Sequence, residues 1–390
     1  MKHIAMIYGE ERPFPPDIRV EKEVRVLSEA GYRITILALR FPKDAPQEEF
    51  ILDGKVRIIR IEVSDQGKIR KRYDLLRMQK SNWYKLLSQF IQSEKPHVIH
   101  VHDFIMTPSV LRIAKRFNIP IVSDLHENMP AAMRAYRTGM TAWHRFESTI
   151  YYNYTIMRWH EKRTLQQCEK VIVVVPEAAD RLYRYGLSED QVVVVSNTED
   201  DTTFRFRRED ADQNILNKYK HNWVASYIGG IGPHRGLDIA LQAVPLASSK
   251  IPNYLLLIVG ATDSDIDQLQ PIIEKYKIED YVEVIGWQPF DKVNSYVLAS
   301  DVCLVPHNDF EHTHTTVPHK LFQYMICKKP LLVSSCKPLA RIVHDTNAGM
   351  IFKTNDSKDM AEKLIYMHSH SEQLLEMASA GQVAALGNYA

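Results

Sequence analysis

Cysteine is scarce. Four thiols occur in 390 residues, Cys168, Cys303, Cys327 and Cys336, and none stand as a C-x-x-C pair. That leaves no disulfide framework and no thiolate zinc site to organise a fold, and it points to a reducing compartment. Long apolar runs are missing as well: none approaches the roughly 20 residues that a membrane-spanning helix requires. Residues 1–8 read directly as a strand, without the longer apolar core of a signal peptide. The expected location is the cytoplasm, with attachment at the inner face of a membrane as the alternative. Excess charge of either sign is absent too. Lys and Arg number 49 against 48 Asp and Glu, a net charge of +1, so no general basic field exists for binding nucleic acid.

What is present is the balance of a globular chain, 45% hydrophobic and 25% charged. The length exceeds one ordinary core, so two domains are expected. Apolar runs at 3–8, 33–39, 56–62, 97–102, 119–123 and 170–175 read as buried strands. Between them, 18–30, 73–94, 106–117, 138–168 and 177–185 carry helical spacing. Such βαβα alternation predicts a parallel sheet covered on both faces. After a strand at 191–195 comes a polar stretch without period, from Ser196 to Asp210, which reads as the domain junction. Strand patterns at 223–228, 254–259, 281–285, 301–305, 331–334 and 349–352 then renew the alternation.

The predicted fold class is α/β, with two doubly wound parallel-sheet (Rossmann-like) domains at 1–200 and 201–375 and a tail at 376–390. Ligands of such sheets sit beyond the strand C-termini, so two facing edges would make a central cleft.

Two stretches carry chemistry. In Tyr227-Ile-Gly-Gly-Ile-Gly-Pro-His-Arg-Gly-Leu237 a strand ends in glycines and a helix begins near Gly236. Gly229 and Gly230 would let backbone N–H groups approach a phosphate, and a helix N-terminus adds partial positive charge. Arg235 could hold a diphosphate through a bidentate contact. The same residues also suit a plain glycine-rich turn with an exposed arginine. Further on, the strand Asp301–Pro306 leads into a polar loop and then Pro318-His-Lys-Leu-Phe-Gln-Tyr-Met-Ile-Cys-Lys-Lys-Pro330. Pro318 suits a first helical turn, and Thr315 and Thr316 would bring hydroxyls and N–H groups to it. Asp263-Ser-Asp265 imitates a metal-binding pair, but it opens a helix, where aspartates serve as caps. No metal and no other cofactor is expected.

In order and spacing these stretches resemble the C-terminal half of family-four retaining glycosyltransferases, which have the two-Rossmann GT-B architecture. The matching residues are Arg235-Gly236, the helix Pro318 to Met325, and Lys329-Pro330-Leu331-Leu332. The N-terminal half resembles the same family at Pro16 to Leu37, at His97-Val-Ile-His-Val-His-Asp103 and at Ile121-Val-Ser-Asp-Leu-His-Glu127. The likeness spans residues 1–370. It implies a C-terminal domain that binds a nucleotide-diphosphate sugar and an N-terminal domain that binds the acceptor. It implies that His126 lies near the transferred sugar, that Arg235 and Lys320 bind the diphosphate, and that Gly286 and Trp287 form a base-binding turn. Trp287 fits edge packing equally well. Acceptor contacts would fall around Asp17, Arg19, Asp103 and Glu127. The implied activity is transfer of a hexose-type sugar, with retention, to a saccharide or lipid-linked acceptor in polysaccharide or glycolipid assembly.

The chain departs from the family pattern at three places. Many members carry two glutamates eight apart, the second on the ribose hydroxyls, where this chain has Thr315 and Gln323. An amide lacks the charge-assisted strength of a carboxylate, so Gln323→Glu is expected to strengthen donor binding. Ile231 stands where many relatives have an arginine after the glycines. The chain also stops where a crossover helix of this fold would begin, which reads either as an abbreviated crossover or as a truncated sequence. These departures keep two rivals in view, a weak or inactive nucleotide-sugar-binding subunit and a two-Rossmann epimerase. A last feature concerns partners. Lys68 to Tyr73 and the stretch Arg134 to Arg163 mix basic and aromatic side chains, including Tyr136, Trp143, Phe146 and Trp159. That composition fits a peripheral membrane contact, and it also fits a long helix packed on its own domain.

Overall fold

The computed structural model describes residues 1–65, 67–199 and 211–389. The chain forms two compact units, Met1–Ser196 and Asn197–Ala390. The junction expected at 200/201 falls outside the described residues.

The first unit is built on β1 (His3–Tyr8), β2 (Arg33–Leu39), β3 (Glu48–Ile51), β4 (Val56–Ile61), β5 (Val98–His102), β6 (Ile121–Leu125), β7 (Lys170–Val173) and β8 (Val192–Val194). They lie in the order β3-β4-β2-β1-β5-β6-β7-β8. Every described pairing is parallel except β3 with β4. All six residues of β1 are buried, as an apolar strand covered on both faces must be. The antiparallel β3 is not anticipated by the apolar pattern. It is a charged edge strand, and Arg57 and Arg60 of β4 bind Glu48 and Glu49 across it.

Two long helical patterns are each broken in two. The stretch 73–94 becomes helices Lys68–Leu76 and Tyr84–Glu94, because Asp74 turns back to accept hydrogen bonds from Ser81 N (2.8 Å) and Ser81 Oγ (2.5 Å). The stretch 138–168 becomes Ala142–Tyr151 and Tyr154–Leu165, with Asn153 capping the second helix by accepting from Thr155 and Ile156. The helix Met129–Tyr136, capped by Asn128, lies outside the predicted pattern.

The second unit contains β9 (Trp223–Ile228), β10 (Tyr254–Ala261), β11 (Val282–Gly286), β12 (Val302–Val305), β13 (Leu331–Ser334) and β14 (Gly349–Phe352). All pair in parallel, in the order β11-β10-β9-β12-β13-β14. The order reverses direction between β9 and β12, and in the first unit between β1 and β5. Ligand crevices of doubly wound sheets lie at such switch points, beyond the strand C-termini. Residues 371–386 form one helix of this unit, so the tail predicted from 376 begins inside it. Gln382 Nε2 donates to Ile326 O at 2.8 Å, and Gly381 sits so near Ala348 that a Cβ there would lie 3.0 Å from its Cβ. Asp265 and Thr262 form a capping box on the helix Asp263–Tyr276, in line with the capping role expected there. Among the described residues, no helix is long and apolar enough to cross a membrane.

Candidate active site

The switch point of the second unit brings two loops together. β9 runs into Gly229, whose φ of +125° is open to glycine but costly for other residues. The loop ends at Gly236, with φ of +72°, where a Cβ would stand 1.7 Å from Pro306 O. Only glycine admits both that conformation and that approach, and the helix Leu237–Ser248 starts directly after it. The loop leaving β12 is stitched to this turn by Asn308. Its N–H donates to His234 O (3.0 Å), and its Nδ2 donates to Pro233 O (3.0 Å) and Asp238 Oδ1 (3.1 Å).

Lys320, in the first turn of the helix His319–Ile326, points under the glycine turn. A Cβ on Gly229 would lie 2.9 Å from Lys320 Nζ. Nζ sits 3.5 Å from the centroid of the Tyr227 ring, whose hydroxyl donates to Gly230 O at 2.6 Å. Nζ is buried and has no hydrogen-bond partner among the described residues. Burial, reinforced by the charge of Arg235, holds the amine well below its ordinary pKa. Arg235 lies 3.3 Å (Nη1) from His307 Nε2. Burial and the same arginine push His234 down to about 2, His312 to about 3 and His307 well below its usual value. Three neutral imidazoles therefore surround a cationic arginine and a buried amine. An anion entering here would find charge and donors already in place.

Gly229, Gly230, Arg235 and Lys320 are thus gathered at one switch point. The Thr315 hydroxyl donates to Glu311 O and His312 O, both at 3.0 Å, and is spent on holding its loop, while Thr316 is half-buried. Gly286 ends β11, and Trp287 after it is 75% exposed, more a free ring than edge packing. Gln323 is buried, and its Nε2 donates to Glu199 Oε1. Tyr324, not singled out by sequence, clamps the end of β9. Its hydroxyl accepts from Ile228 N (2.9 Å) and donates to Ile228 O (3.1 Å).

In the first unit the ends of β5 and β6 assemble a second polar cluster. Asp124 is fully buried and accepts from both Arg19 Nε (2.9 Å) and Arg19 Nη2 (2.8 Å). His126 Nε2 lies 3.2 Å from Asp124 Oδ2, and His126 Nδ1 lies 3.4 Å from Asp103 Oδ2. Burial alone would lower His126, but the charge of Asp103 and the hydrogen bond to Asp124 raise it to about 9. Burial pushes Asp103 up while the facing His126 pulls it down, so the two titrate together and hold a shared proton past neutral pH. Asp103 adopts φ of +64° to reach this position. Glu127 accepts from Tyr136 Oη at 2.8 Å. Asp17 and Arg19 are turned inward. Asp17 caps the helix Ile18–Glu29 and accepts from Arg12 Nη2 (2.7 Å) and Tyr8 Oη (3.2 Å), while Arg19 serves Asp124 and Glu23. Ligand-type atoms of Glu23, His100, His102 and Asp124 fall within 4.8 Å of one another. Arg19 already fills both Asp124 oxygens, so a dication there would meet a fixed positive charge. The role of Asp124 was not legible beforehand, since its arginine lies 105 residues away in sequence.

Two doubly wound α/β units with mainly parallel sheets make up the GT-B scaffold. Residues 208–383 match the family described as glycosyl transferases group 1, and residues 18–202 match glycosyltransferase family 4. Together the matches take in nearly the whole chain, and it belongs to the GT-B glycosyltransferases. Among curated proteins, an uncharacterized glycosyltransferase of Methanocaldococcus jannaschii is 21% identical over 295 residues, 75% of this chain and 71% of the relative. Matches to five other curated relatives span only 31 to 56% of their length. Among solved structures, sucrose-phosphate synthase from Thermosynechococcus elongatus superposes with a TM-score of 0.79 at 16% identity, covering 100% of this chain and 95% of that one. HepE from Anabaena, in complex with UDP-glucose, gives 0.72 at 14% identity, covering 100% and 96%.

Proposed function

We propose that this glycosyltransferase moves a hexose-type sugar, with retention, from a nucleotide-diphosphate sugar to a saccharide or lipid-linked acceptor in polysaccharide or glycolipid assembly. The observation that carries the donor reading is Lys320, a buried amine without a hydrogen-bond partner among the described residues, set beside Arg235 at the β9/β12 switch point. A diphosphate would supply acceptors and a negative charge that favours the protonated amine. Arg235 and Lys320 would then stabilise the charge of the departing nucleotide, so no metal is required. Gly229 and Gly230 would offer backbone N–H groups, Thr316 a hydroxyl, and Trp287 a face for the base. His126, cationic and held at the end of β6, would hydrogen-bond an oxygen of the sugar or acceptor, with Asp103 and Glu127 beside it. The HepE complex holds UDP-glucose, and that supports a uridine nucleotide as the first donor to try.

Calorimetry with UDP, GDP and ADP tests the donor seat. Micromolar binding of one nucleotide is expected, and binding of none would remove this reading. A second reading, a donor-binding subunit with little turnover, is favoured by Gln323 in place of a carboxylate. Donor binding without hydrolysis or transfer across a broad acceptor panel would select it, whereas conversion of donor alone to an isomer would identify an epimerase.

We also propose that the first unit rests on an anionic membrane surface, at the cytoplasmic face. Ile69, Trp143 and Phe146 are exposed, Arg70 lies beside Ile69, and Arg72 links the two helices through Glu147 at 3.2 Å. Liposome flotation with and without anionic lipid tests this, and failure to float with either removes it.

A further inference from the structure

The position of Gln323 raises a question of charge. It follows Lys320 by one helical turn, on the same face of the helix His319–Ile326. Its Nε2 donates to Glu199 Oε1 at 3.2 Å, and the Glu199 side chain is 1% exposed. His319 Nδ1 lies 3.2 Å from the same oxygen, a close contact without hydrogen-bond alignment. Glu199 therefore bridges positions i and i+4 of this helix from the segment just before the second sheet.

An amide has two unlike ends. A carboxylate has no proton to give, so only the Gln323 nitrogen makes a bond when turned toward Glu199. The nitrogen is thereby committed, and the carbonyl oxygen is left facing the other way as a pure acceptor. We propose that Glu199 is a positioning residue of the donor seat. It locks Gln323 so that its Oε1 accepts a hydroxyl of the donor, and its own negative charge polarises that amide from behind. This inference rests on the donor reading above. It gives the chain a carboxylate that acts through an amide, one residue removed from the ligand.

The consequence reverses the simple expectation for Gln323→Glu. That change would set two carboxylates face to face, and in a buried site both cannot ionise without cost. The exchange Glu199→Gln with Gln323→Glu restores one amide and one carboxylate with their places swapped.

The experiment is calorimetry with UDP, GDP and ADP on the unaltered protein, E199Q, Q323E and the double variant, at pH 8 and pH 5.5. At each pH the ratio of variant to unaltered affinity is read, so that titration of Lys320 and the neighbouring histidines cancels. At pH 8, Q323E should weaken the bound nucleotide about tenfold, or about 1.4 kcal/mol. It should recover at pH 5.5, where the facing carboxylates share a proton. E199Q, which frees the amide to turn, should weaken binding roughly threefold, and the double variant should return to within about threefold of the unaltered protein. Q323E binding as tightly as the unaltered protein at pH 8, or a double variant no better than Q323E, would overturn the role of Glu199 alone. Absence of binding by the unaltered protein would overturn the donor reading and this inference together.

Discussion

Arg19 grips Asp124 through both carboxylate oxygens, at 2.9 and 2.8 Å, in a strand end closed to solvent. Burial opposes ionisation of Asp124, yet this fork and two histidines hold its carboxyl well below the usual range. The carboxylate then fixes His126, which is the residue that meets solvent. The chain of support runs from helix Ile18–Glu29 through β6 to the imidazole.

Asp124→Asn should destabilise the first unit by roughly 3 kcal/mol, the low end for a broken buried pair. Glu23 remains 3.1 Å from Arg19 and limits the loss. Urea unfolding measures it, and the His126 ring should titrate lower by NMR. An unchanged midpoint would show that the fork contributes nothing.

Stability should fall between about pH 6.5 and 9. His126 is raised to about 9 from 6.5, so its contribution is complete below 6.5 and is lost as pH rises through 9. Burial pushes Asp103 up as well, and because the two groups share their proton its release belongs to this same loss rather than adding a second. Thermal midpoints of the unaltered protein and His126→Gln, compared across this window, isolate the effect. Parallel curves would contradict it.

Nucleotide binding should take up protons. Burial keeps the Lys320 amine well below its ordinary pKa, and a diphosphate beside it would favour the charged form. Binding enthalpies measured in buffers of different ionisation enthalpy should therefore differ, and Lys320→Met should reduce the difference, leaving only the share taken by the neighbouring histidines. Arg235→Ala should weaken the same nucleotide by about 1.5–3 kcal/mol, the scale of a charged hydrogen bond. Unchanged affinity would place the phosphates elsewhere.

Tyr324→Phe should cost about 1–3 kcal/mol, because it leaves the buried Ile228 N–H without its acceptor. Denaturant unfolding of the variant decides this. A neutral result would mean that the end of β9 finds another partner.

Several strands of the second unit were legible to the residue: 223–228, 331–334 and 349–352 coincide with β9, β13 and β14. Parallel strands buried on both faces are continuous apolar runs, and their ends are marked by glycine, proline and charge. β3 was illegible because a charged edge strand has no such pattern. The helix breaks near Ser81 and Asn153 were also hidden, since they depend on side chains bonding backbone rather than on periodicity. In the site, Gly229 and Arg235 drew notice as a strand that ends in glycines before a helix, and Lys320 only through the family resemblance of its helix. Arg19 with Asp124, and Glu199 with Gln323, are partners more than 100 residues apart in sequence, and pattern along one chain does not carry such pairings.

Asn308 ties the glycine turn to the loop after β12 through three hydrogen bonds. Each loop is thus part of the other's scaffold, and a change of length in either would shift Arg235 and Lys320 together. On the proposed donor reading, redesign of nucleotide preference should leave this knot intact and vary Trp287, whose ring is exposed.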